Sequence, residues 1–129
     1  MRIACPVWMD RVSPVFDDAL ALVLIDMEGG SEVSRRTVVL EDPVPVRRAL
    51  KLTDLGVDVL ICGAISRSLE RMVAARGVKI IQRICGSADE VIGAFLQGDE
   101  IENRYSMPGA CRRDGGQRRR RRQMKSINR

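Results

Sequence analysis

Cysteines at positions 5, 62, 85 and 111 are the residues of this 129-residue chain whose type most invites chemistry. Thiolates are soft ligands suited to iron-sulfur or copper(I) sites. The chain has no histidine and no C-x-x-C pair. That excludes a zinc finger, a thioredoxin-type motif and a secreted disulfide scaffold, and leaves reduced thiols as the expectation. Cys111 stands out because it lies in "MPGACRRDGGQRRRRR", residues 107 to 122, beside seven arginines. An exposed thiol among cations has a lowered pKa and is a ready ligand or redox group. Cys62 precedes Gly63, which offers an open loop neighbour, whereas Cys5 and Cys85 read first as small packing hydrophobes.

A second group of candidates lies in the segment "WMDRVSPVFDD", residues 8 to 18. It carries Trp8, the only tryptophan, with Phe16, Asp10, Asp17 and Asp18. Long loops bearing aromatics are often functional; the alternative is that Trp8, Val12 and Phe16 close one end of the core. The stretch "CGAISRS" sets Gly63 before a helix start at Ser66, where free N–H groups can receive an anion. It lacks the P-loop pattern, so nucleotide binding is not expected, and Ser66 also reads as a plain N-cap. The first strand has no carboxylate for a two-metal nuclease, and no histidine is present to pair with a serine or cysteine nucleophile. A non-enzymatic protein is expected.

These residues must be positioned by a limited set of elements. "RIACPVW" (2–8), "ALALVLIDM" (19–27) and "EVSRRTVVLE" (32–41) are β-prone, and Glu28-Gly29-Gly30-Ser31 between the last two signals a hairpin. The period then changes. Residues 44–56 have Val46, Ala49, Leu50 and Leu55 near helical spacing and end on Gly56. "VDVLICG" (57–63) reads as a buried strand and "SRSLERMVAARG" (66–77) as a helix. "VKIIQRI" (78–84) is a last strand, and Ser87 and Glu90 form a capping-box spacing at the start of a helix over 87–99. The order β-β-β-α-β-α-β-α predicts an α/β protein: a three-layer α/β/α sandwich on a five-stranded mixed sheet, ordered 3-2-1-4-5. Cys5, Cys62 and Cys85 would then fall toward one sheet edge, near a topological switch point where such sheets bind ligands.

Charge divides the chain. Residues 1–103 hold 12 Lys+Arg against 16 Asp+Glu, a balance of 12 − 16 = −4, while residues 104–129 hold 10 against 1, a balance of +9. The expected organisation is one α/β domain over 1–103 and a basic, disordered tail over 104–129 that carries Cys111. Nucleic-acid affinity could come only from the tail. The longest apolar run, "ALALVLI" (19–25), is too short for a membrane helix and no signal-peptide core is visible, so a cytoplasmic protein is expected.

Three blocks in order, "RIACPVWMDRVSPVFDDA", "GVDVLICGAISRSLERMVAARGVKII" and "YSMPGACRR", resemble the dinitrogenase iron-molybdenum cofactor biosynthesis family, small proteins with a ribonuclease H-like fold. The resemblance spans about residues 1–111. It implies a carrier or scaffold for an iron-sulfur or iron-molybdenum cluster, or its precursor, working with metallocluster assembly or recipient proteins. The chain departs from the family twice: Val15 stands where cofactor-carrying members have a histidine, and Met107-Pro108-Gly109-Ala110-Cys111 keeps one of two paired cysteines. The expected metal ligands are Cys111, Cys62 and Cys5, with Trp8, Asp10, Phe16, Gly63, Ser66 and Met107 around the cofactor. The competing expectation is an electrostatic module whose arginine-rich tail grips nucleic acid or an acidic partner.

Overall fold

The computed structural model describes residues 1–108. Its centre is β1 (Arg2–Trp8), an apolar strand paired on both sides. On one side β1 runs antiparallel to β3 (Ala21–Glu28), from Arg2↔Asp26 to Val7↔Ala21, and β3 pairs with β4 (Ser31–Val39) through the expected Gly29-Gly30 turn. On the other side β1 is parallel to β5 (Val59–Ile61), which is parallel to β6 (Lys79–Ile81). The path β4-β3-β1-β5-β6 is the strand order expected from the sequence. A sixth strand, β2 (Arg11–Val12), was not expected. It forms because Met9 and Asp10 take left-handed backbone angles, φ 49° and 64°, and fold Arg11 and Val12 back onto Trp8 and Val7. Such a turn is normally announced by glycine or asparagine, and here it is not.

Alternation along the strands divides the core into two layers. Ala4, Leu22, Leu24 and Leu60 face α1 (Pro45–Asp54) and α2 (Arg67–Ala74), which supply Ala49, Leu52, Leu69 and Val73. Ile3, Cys5, Ile25 and Ile61 face α3 (Ala88–Leu96) and α4 (Ile101–Arg104), which supply Val91, Ile92, Ala94 and Ile101. The result is the three-layer sandwich, with α4 as an additional short helix. The two parallel strands after β1 are shorter than their apolar runs suggest. Past Ile61 and Ile81 the chain leaves the regular ladder, although Cys62 N–H still donates to Ile81 and Ile84 N–H to Cys62.

Helix α1 is rotated from the expected face. Val46 and Leu50 remain 44% and 39% exposed, and Arg48, Ala49 and Leu52 are buried instead. The cause is Arg48, whose Nη1 donates to the carbonyls of Phe16 (3.1 Å) and Ala19 (2.8 Å) and so replaces water for two buried backbone acceptors.

Candidate functional site at the sheet rim

The register places the ends of β1, β5 and β6 at one edge of the sheet, together with the start of β3 and the end of β4. The connections at this rim are bonded to one another by their backbones. Ser13 N–H donates to Pro6 (2.8 Å), Phe16 N–H to Ala64 (2.8 Å) and Ala64 N–H to Pro14 (2.8 Å). Arg83 N–H donates to Gly63 (2.9 Å), Val12 N–H to Gly86 (3.0 Å) and Ala88 N–H to Asp10 (2.9 Å). The end of the described chain joins them: Cys85 N–H donates to Tyr105 (2.7 Å) and Met107 N–H to Arg83 (2.8 Å). The folded body therefore continues through residues 104 to 107.

The thiols do not gather at this rim as the sequence suggested. Cys5 and Cys62 are both fully buried, and they belong to opposite layers of the core, Cys5 beneath α3 and Cys62 beneath α2. Burial pushes each thiol up to about 12, so both are neutral at physiological pH. The open neighbour expected at Gly63 is covered, since a Cβ there would lie 2.6 Å from the carbonyl oxygens of Ser13 and Pro14. Cys85 is half-buried, and its Sγ lies 3.5 Å from the Ser106 carbonyl. Cys111 lies outside the described residues. Among the described residues no three His, Cys, Asp or Glu side chains are grouped to hold a metal ion. Cys5 and Cys62 thus do not fit a thiolate cluster site, which needs ionised sulfurs converging on one space.

What the rim does offer is an open cavity of about 330 Å³ lined by Trp8, Ser13, Pro14, Val15 and Asp18, with a largely apolar surface. Trp8 is 59% exposed and Met9 75%. Asp10 is exposed at the turn beside them, and Met107 is half-buried, its amide bonded to the Arg83 carbonyl. Phe16 and Val12 are buried and close the core, so the aromatic segment divides: Phe16 is floor and Trp8 is surface. Val15, at the family's histidine position, is part of the cavity wall, which makes that wall apolar.

The start of α2 is already supplied with an anion. Ser66 Oγ accepts from Leu69 N–H, as an N-cap should, and the carboxylate of Asp17 accepts from Ser66 N–H at 2.8 Å. Asp17 thus fills from the chain itself the place that the sequence left for a ligand at Gly63 and Ser66. Arg48 was missed at the sequence level, and Asp17, a candidate there as a loop carboxylate, proves to serve the helix start. An arginine next to the apolar stripe of a helix, and an acid opposite a distant helix start, carry no local signal of their roles.

Residues 1–98 match the family profile described as dinitrogenase iron-molybdenum cofactor. Among solved structures, a proposed NifB protein from Thermotoga, assigned to the DUF35 family, is 25% identical with a TM-score of 0.60, over 88% of this chain and 98% of that one. The apo form of the orange protein from Desulfovibrio gigas is 24% identical with a TM-score of 0.63, over 75% and 88%. A proposed dinitrogenase from Methanocaldococcus jannaschii is 17% identical with a TM-score of 0.65, over 77% and 90%, and shares the fold. No curated protein matches the chain by sequence. Among the described residues no helix is long and apolar enough to cross a membrane.

Proposed function

We propose, since the chain belongs to the dinitrogenase iron-molybdenum cofactor family, that it is a non-enzymatic carrier or scaffold. Its cargo is an iron-sulfur or iron-molybdenum type cluster, or the precursor of one, held at the rim and passed to assembly or recipient proteins. The observation that carries this reading is the apolar cavity beside Trp8, set on interbonded loops at the switch-point edge of the sheet, where open α/β sheets bind ligands. Trp8, Asp10 and Met107 surround the cargo in this reading, and Phe16, Gly63 and Ser66 hold the loops that shape the cavity. Since Cys5 and Cys62 are sealed and protonated, Cys111 is the thiol assigned to the cargo, and Cys85 is the half-buried thiol among the described residues. The exposed Trp8 and Met9 suit a face that meets a recipient protein during transfer.

Anaerobic reconstitution of the full chain with iron and sulfide tests the reading. Visible charge-transfer absorbance should develop, weaken in Cys111→Ala and persist in Cys62→Ala. A chain that stays colourless at every iron ratio refutes it. If the colourless chain instead retains duplex DNA with a log-log salt slope of about −4 to −6, lost on deletion of residues 112–129, the electrostatic module takes its place.

A further inference from the structure

On the other side of the loop Phe16–Ala19, between the end of β4 and the start of α1, lies a second cavity of about 280 Å³. Its ionisable lining is Arg47, Arg48 and Lys51 against Glu41 and Asp42, three cations to two carboxylates. Asp42 is already engaged, accepting from Val44 N–H at 3.0 Å and pairing with Arg47 at 3.3 Å. Arg48 is 3% exposed; its Nη1 serves the Phe16 and Ala19 carbonyls and its guanidinium lies over the Phe16 ring, but among the described residues it has no ion-pair partner and its Nε has no hydrogen-bond partner. A guanidinium this deeply buried is normally paired with an anion, because desolvation without one is costly. The first turn of α1 compounds the imbalance. It has no acidic residue and no side-chain cap of its own; Asp42 meets the Val44 amide from outside the helix and the Arg47 and Arg48 amides close onto the Val44 carbonyl, so Val46 N–H is the amide of this turn left for a ligand.

We infer that this cavity is a binding site for a small phosphate-type oxyanion, with Arg48 and Lys51 as its principal cations and the Val46 amide as its backbone donor. The site is separate from the cavity beside Trp8 and uses no cysteine. Glu41, exposed at the margin, sets the sign of the selectivity: it leaves a net charge of one to be balanced and repels ligands that present bulky negative charge away from the guanidinium. A planar guanidinium recognises paired phosphate oxygens better than a point charge does, which favours phosphate over a monocarboxylate.

Arg48 also anchors the Phe16 and Ala19 carbonyls, so its replacement would disturb the fold as well as the site. Lys51 is exposed and free of ion pairs among the described residues, and Lys51→Gln therefore tests the site without that complication. The full chain, labelled with ¹⁵N, is titrated with inorganic phosphate and separately with acetate at constant ionic strength. Phosphate should produce saturable shifts at the Val46, Arg47 and Arg48 amides, with affinity roughly tenfold weaker in Lys51→Gln and several-fold weaker for acetate. Shifts confined to the arginines of residues 112–122, a linear response at α1, affinity unchanged in Lys51→Gln, or equal affinity for acetate would each overturn the assignment.

Discussion

The two ends of the sheet solve the same problem, reversing the chain, with different residues. At the far end, reversals that need left-handed backbone use glycine: Gly29 and Gly30 in the β3–β4 hairpin, and Gly56 and Gly77 where α1 and α2 give way to the strands β5 and β6. At the rim Gly86 also takes a positive φ, 120°, but Met9, Asp10 and Arg83 adopt φ angles of 49°, 64° and 65° with full side chains. A non-glycine residue in this region costs of order 1 kcal/mol and persists only when its surroundings hold it there. The rim supplies that restraint through the backbone bonds among its loops, and these three positions keep side chains where the far end uses glycine. The end that turns cheaply is structural, and the end that holds strain carries the cavity beside Trp8 and the one before α1.

If this contrast is sound, the largest effect should come from the point where the rim loops approach most closely. Gly63→Ala forces a Cβ against two carbonyl oxygens and should destabilise the fold by about 3 kcal/mol in urea titration. A loss below about 1 kcal/mol would mean that the loops part easily and that the rim is no better fixed than a surface turn.

Alkaline titration asks whether the rim is sealed above Cys62. Both buried thiols are held neutral in the fold, near 12, while in the unfolded chain they ionise from 9.0. Folding stability from this source is complete below pH 9 and is lost as pH rises from 9 toward 12, by up to about 1.4 kcal/mol per unit for each thiol. Chemical denaturation at successive pH values should show this decline, with a flatter slope in Cys62→Ala. An identical slope in the variant would show that Cys62 reaches solvent and that the rim is open.

The smallest effect separates strain from sequence preference. Arg83→Gly removes the left-handed penalty while keeping both backbone hydrogen bonds, and should raise stability by roughly 0.5 kcal/mol despite the entropy of glycine in the unfolded chain. A melting temperature lower than that of the parent protein would show that the Arg83 side chain itself holds the rim together.

The layer architecture and the strand order were legible because they follow from long-period signals: apolar runs, alternation, the Gly-Gly hairpin and the serines that cap α2 and α3. The site was less legible because its components act across the chain. Cys5 and Cys62 do lie on neighbouring parallel strands, but neighbours in a sheet share a face only when their registers match, and Cys5 stands level with Ile61 rather than Cys62. That one-residue offset sends the two sulfurs to opposite layers. Arg48 carries no local signal of burial beside the apolar stripe of α1, and only the loop returning over it reveals carbonyls in need of a donor. The reversal at Met9 and Asp10 was silent because its restraint comes from Ala88 and the other loops, not from the residues that bend.

Among the described residues strand β4 is hydrogen-bonded on one side only, to β3, and it is exposed along nearly its whole length. A row of unsatisfied amides and carbonyls nine residues long is a template on which another extended chain can grow. What guards it is charge. Arg35, held by Glu32 and by Asp89 of α3, and Arg36 on the opposite face place a cation above and below the open edge, so that a second copy approaching in register would bring like charges together. Neutralising both arginines would leave the fold its layers and expose it to aggregation, so the arginines of β4 serve solubility at the edge.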